Sequence, residues 1–156
     1  KKEYPDYLGL NEKSQKISEN TFDISEYLAH LHKQDKLKTD FKNEVGVVNY
    51  HVSCHLKAQQ MGFKGRDILK LVPNTKVNLV NRCSGMDGGW GMKVENFDES
   101  IKVAERCVND LGQKEADRVC SDCSLASHQL KQASTGSVAP SHPVVELYKA
   151  YGFDQI

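Results

Sequence analysis

The spacing of apolar positions changes character near residue 45. Upstream, Phe22, Ile24, Leu28 and Leu31 recur at intervals that lay one apolar stripe along a helix. Asn20-Thr21-Phe22-Asp23 precedes that stripe with side chains suited to capping free N–H groups. Residues 1–44 are therefore expected to form a helical segment packed on the rest of the chain. His30 and His32, two apart on such a helix, point in nearly opposite directions and cannot share a ligand; surface or packing roles are expected for both.

From Val45 the period shortens. Val45-Gly46-Val47-Val48-Asn49-Tyr50 is a β-branched, nearly continuous apolar run, as in a strand buried on both faces of a parallel sheet. Thr75 to Val80 alternates polar and apolar, as a half-covered strand does, and Asp117 to Cys120 reads as a third short strand. Helical stretches separate them: His55 to Met61, stopped by Gly62, and Gly65 to Leu71, ending before Pro73. Glu99 to Leu111 follows, with Ile101, Ala104 and Cys107 on one face, then Leu125 to Gln132, and finally Pro143 to Ala150 with proline at its start and Gly152 past its end. Alternation of strand and helix predicts an α/β domain over residues 45–156: a small parallel sheet built from βαβ crossovers, with helices on both faces.

Composition narrows the function classes. The 156 residues are about one domain's length, with 38% hydrophobic and 27% charged residues, as in a globular protein on the polar side. Lys+Arg 21 balances Asp+Glu 21, so nothing argues for nucleic acid as a partner. No apolar run reaches the ~18 residues of a membrane span, and no signal-peptide pattern is to be read from Lys1 onward. The chain starts at Lys1 and reads as a fragment of a longer protein. Five cysteines, odd in number and unevenly spaced, fit reduced thiols with a metal or redox role better than a disulfide framework.

Three of those thiols follow the three strands. Tyr50-His51-Val52-Ser53-Cys54-His55, Asn81-Arg82-Cys83-Ser84-Gly85 and Cys120-Ser121-Asp122-Cys123 each place a cysteine at a carboxyl end, where open α/β sheets build their sites. Cys107, on the apolar stripe of its helix, reads as a buried structural thiol. The glycine-rich loop from Gly85 to Gly91 matches neither phosphate-binding fingerprint. Its glycines are expected to let backbone approach something bulky beside Cys83, with Trp90 capping the site or packing. A cysteine nucleophile at Cys54 with His51 or His55 as its base is a competing possibility, although no oxyanion site is visible.

The order Tyr50-His51-x-x-Cys54-His55, then Arg82-Cys83-Ser84-Gly85-x-x-Gly88-x-x-Gly91-x-Lys93, then Ser121-Asp122-Cys123 with Gln129-Leu130, then His142-Pro143 resembles the cysteine-rich CCG domain. That family occurs in two subunits of heterodisulfide reductase and in one subunit of the anaerobic glycerol-3-phosphate dehydrogenase, where the second such domain is most similar. There a cysteine, a Cys-Cys-Gly and a Cys-x-x-Cys supply five thiolates to a non-cubane [4Fe–4S] cluster, or fewer to zinc. By that resemblance Cys54 and Cys83 match ligands, while Ser84 replaces the second cysteine of Cys-Cys-Gly. Asp122 and Gln129 set Cys123 as the first cysteine of the Cys-x-x-Cys and Ala126 as the position of the second. Cys120 then falls on a strand position, unless the chain turns at Ser121-Asp122 and brings it into the site.

The fourth place is open among Cys120, His128 and Asp87, with His51 and His55 as further candidates and Gly85 beside the cofactor. The resemblance implies an iron–sulfur electron-transfer domain, possessing a [4Fe–4S] cluster or alternatively Zn²⁺, in a flavin- or quinone-linked oxidoreductase complex. It implies flavoprotein or iron–sulfur subunits as partners, membrane quinone reached through them, and a cytoplasmic location peripheral to the inner membrane. The missing thiolates suggest an alternative: a degenerate domain with structural zinc or no metal, serving as a docking module.

Overall fold

The computed structural model describes residues 3–153. Three helices lead in: α1 (Glu3–Leu8), α2 (Glu12–Glu19) and α3 (Ile24–Lys33). Asn11 caps α2 by accepting the Ser14 N–H at 3.0 Å, and Asp23 caps α3 by accepting the Ser25 N–H at 2.8 Å. Each cap satisfies a donor that the first helical turn leaves free. The alternating part runs β1 (Val47–His51), α4 (Cys54–Ala58), α5 (Lys64–Leu69), β2 (Lys76–Val80), α6 (Phe97–Gly112), β3 (Arg118–Ser121), α7 (Ser124–Ala133) and α8 (Pro143–Ala150). Two 3₁₀ turns, Trp90–Met92 and Val94–Asn96, carry the glycine loop into α6.

The three strands are parallel in the order β2-β1-β3, with Tyr50 opposite Leu79 on one side and Cys120 on the other. The fold is α/β. Central β1 is buried from Val48 onward, which is why it reads as a continuous apolar run, while β2 is an edge strand that leaves Leu79 exposed. Val48, Tyr50 and Cys120 face a core with Leu56, Ile68, Leu69 and Leu147, against which Leu28 and Ala29 of α3 also pack. The opposite face carries Ala104, Cys107, Leu111 and Leu130 from α6 and α7, with Val80 and Val119. Burying each of the larger side chains stabilises the fold by ~1.5–3 kcal/mol.

Asn49 is buried in the middle of β1, and its amide donates to the carbonyls of Leu111 and Lys114, both at 2.7 Å, while its oxygen accepts from Asn78 at 2.9 Å. It thereby satisfies carbonyls at the end of α6, where the helix leaves them unpaired. The sheet topology sends β1 to β2 on one side and leaves β3 on the other, so the loops after β1 and β3 emerge side by side.

Candidate functional site

The carboxyl edge of the sheet holds three cysteines in different settings. Cys54 is the first residue of α4 and exposed. Cys83 lies three residues past β2, also exposed, and its sulfur accepts the Gly85 N–H at 3.3 Å. Cys123 is the N-cap of α7 and half-buried. Its thiol is held below the ordinary cysteine value, first by a hydrogen bond with His55, then by the Ala126 and Leu125 N–H groups at the start of α7, against an opposing effect of burial. His55 is raised in turn, chiefly by that same bond to Cys123.

A buried relay ties the feet of all three loops together. The Arg82 carbonyl can only accept, so the His51 Nε2–H donates to it at 3.0 Å and Nδ1 accepts the Ser121 hydroxyl at 3.0 Å. Ser121 Oγ accepts the Cys123 N–H at 3.3 Å. Burial lowers the His51 pKa, which suits this neutral ring. With both nitrogens in hydrogen bonds, His51 braces the base of the site, and neither nitrogen is left for a metal.

The other candidates separate. Cys120 is fully buried among the core residues under α5 and α8, its sulfur 3.6 Å from the Ser141 hydroxyl and its thiol pushed up to about 12 by burial. The chain bends at Asp122, yet Cys120 still faces the core, because it shares the register and face of Tyr50. Cys107 is likewise buried and pushed up to about 12. Asp87 sits exposed in the glycine loop with φ 41°, and His128 is exposed on α7.

The glycines serve a nearer neighbour than the sequence suggests. A Cβ on Gly85, whose φ is 80°, would run into the Ser100 carbonyl of α6, and one on Gly91 would lie 2.7 Å from the Gly85 carbonyl. Gly88 and Gly89 face open space. Close approach here is to the protein's own helix, and Trp90 is 40% exposed.

Sequence reasoning missed one contact. Both Asp122 carboxylate oxygens are engaged, one by the Tyr50 hydroxyl and the other by the Ser25 hydroxyl of α3 at 3.0 Å. The carboxylate also fills the space in which a Gly65 side chain would stand. Tyr50 and Asp122 were visible as motif residues, but no local signal pairs Ser25 with a residue 97 positions away.

A family model for the cysteine-rich domain, CCG, matches residues 48–131, which span the three strands and the three exposed or half-buried cysteines. The chain belongs to the CCG cysteine-rich domain family. One subunit of the anaerobic glycerol-3-phosphate dehydrogenase of Escherichia coli (strain K12) is 25% identical over 104 residues, covering 66% of this chain and 26% of the relative. One subunit of the dihydromethanophenazine:CoB–CoM heterodisulfide reductase of Methanosarcina mazei is 34% identical over 114 residues, covering 69% and 27%, and its counterpart from Methanosarcina acetivorans is 33% identical with the same coverage. This CCG domain thus spans about a quarter of the length of the curated relatives it matches. No solved structure matches it.

Among its described residues, no three His, Cys, Asp or Glu side chains stand close enough to hold one metal ion. No described helix is long and apolar enough to cross a membrane.

Proposed function

We propose that this CCG domain is an iron–sulfur electron-transfer module of a heterodisulfide reductase-like, flavin- or quinone-linked oxidoreductase complex. The observation that carries this reading is the placement of Cys54, Cys83 and Cys123 just past the ends of three adjacent parallel strands. Thiolates are the ligands that the irons of an iron–sulfur cluster take. Three thiols gathered along one sheet edge are a donor set whose chemistry fits such a cluster. Ser53 Oγ supports that fit, since it is buried beside Cys54 with no hydrogen-bond partner.

When bound, such a cluster supplies a one-electron carrier. The chain's own residues would hold and tune it: Cys54, Cys83 and Cys123 as thiolates, with His128, Asp87 or His55 for a fourth place. Gly85 N–H on Cys83 and the Leu125 and Ala126 N–H groups on Cys123 place positive dipoles on the sulfurs, which favours the reduced form. Residues 1–44 would serve as a helical brace on the α/β domain of residues 45–156. The relatives are each named as one subunit of a dehydrogenase or reductase, which supports other subunits as partners; in this proposal those are flavoprotein or iron–sulfur subunits, through which a cytoplasmic module reaches membrane quinone.

A second reading has its own observation. Ser84 and Ala126 stand, buried, where the family pattern puts thiols, so two of its five thiolates are lost. A docking domain with zinc or no metal would look like this. Anaerobic purification with iron and acid-labile sulfide analysis separates the two. Iron and sulfide in comparable molar amounts, with visible absorption, are expected; zinc alone, or no metal, would overturn the electron-transfer reading.

A further inference from the structure

A cavity of about 310 Å³ opens along α7, on the side of Ser124, His128 and Lys131, and none of the proposed thiolate ligands lines it. Those three residues lie at helical spacings that form one stripe. The segment leading into α8 closes the cavity with Ala139, Pro140 and His142. About 300 Å³ is the lower end of the range for small-molecule sites.

The lining has a definite sign. No Asp or Glu contributes to it, and among the described residues Lys131 has no ion pair. His142 Nδ1 accepts the Val144 N–H at 3.2 Å, so the neutral ring carries its proton on Nε2 and can offer only a donor. The Ser124 hydroxyl adds another donor, and the His128 ring has no hydrogen-bond partner among the described residues. The first N–H groups of α7 do not enter this account, because those of Leu125 and Ala126 are turned to Cys123. Donors and one uncompensated cation around an apolar wall of Ala139 and Pro140 suit an oxoanion on a short carbon body.

We propose that this cavity binds a small organic oxoanion, a carboxylate or a phosphate monoester, with Lys131 and His142 on the charged end and Ala139 and Pro140 on the carbon body. The site includes none of the three cysteines and shares only His128 with the candidates for the fourth place, so it stands where Asp87 or His55 fills that place. It would give the domain a place for a small acidic substrate or effector next to the cysteine loop, since Ser124 follows Cys123 directly.

NMR of the histidine rings in the full 156-residue chain tests this, with inorganic phosphate in one arm and acetate in the other. Ionic strength and pH are held constant with sodium chloride and buffer. Saturable shifts of the His128 and His142 rings are expected in at least one arm, and the arm that saturates names the anion. The His30 ring, stacked on Phe22 at 5.4 Å, should not move. Lys131→Gln should weaken binding about fivefold or more, as loss of one charge contact does, while Lys33→Gln should not. Shifts linear in both anions, shifts shared by His30, or equal behaviour of the two lysine variants would overturn the proposal.

Discussion

Cys123 has the most distinctive electrostatics of the three exposed or half-buried thiols. Its sulfur meets the His55 ring and two N–H groups at the start of α7, and each contact favours the thiolate over the thiol. The sign follows from the acid form being the neutral one: lowering this pKa keeps thiolate present at pH values where an ordinary cysteine is protonated. In metal-free protein near neutral pH, iodoacetamide should therefore modify Cys123 severalfold more slowly in His55→Ala than in the parent, with Cys54 as the internal control. An unchanged or faster rate would show that His55 does not hold the thiolate. Residue roles of this kind were only half legible. Cys54, Cys83 and Cys123 could be read as strand-end thiols, because a cysteine just past a β-branched run has few other places to be. The division between His51 and His55 was not legible, because it depends on the Arg82 carbonyl and Ser121 hydroxyl that the fold brings to one ring and the sulfur that it brings to the other.

Among the elements, α3 stands out for reaching the site from outside the matched family span. Its apolar stripe was readable, and Leu28 and Ala29 do pack on the core, whereas Ile24 is 50% exposed. What the stripe could not reveal is the polar anchor: Ser25 is fully buried and donates to Asp122, the residue before Cys123. Ser25→Ala should cost ~1–3 kcal/mol in urea unfolding, because it leaves a buried carboxylate oxygen without that partner. A loss within measurement error would mean that α3 is held by apolar contacts alone. Strands and helices were the most legible features, since β1 shows its double burial and α6 its stripe directly in the residue order. The glycine loop was read as letting backbone approach something bulky beside Cys83; Gly85 and Gly91 are also needed for contact within the loop and with α6, a long-range packing requirement that leaves no trace in spacing.

At the scale of the whole molecule, a three-stranded parallel sheet gathers three loops at one edge, and a buried relay from Cys123 through Ser121 and His51 to Arg82 fixes their feet. Helices on both faces leave that edge open to solvent at Cys54 and Cys83. Such an arrangement suits a module that exchanges electrons with a partner rather than one that encloses its chemistry. A redox titration of the anaerobically purified chain, followed by EPR and visible absorption, tests this most directly. The expected result is a reversible couple that Cys120→Ala retains and that Cys54→Ala, Cys83→Ala and Cys123→Ala each abolish. Absence of any reversible couple, or a couple that survives Cys123→Ala and vanishes in Cys120→Ala, would contradict it.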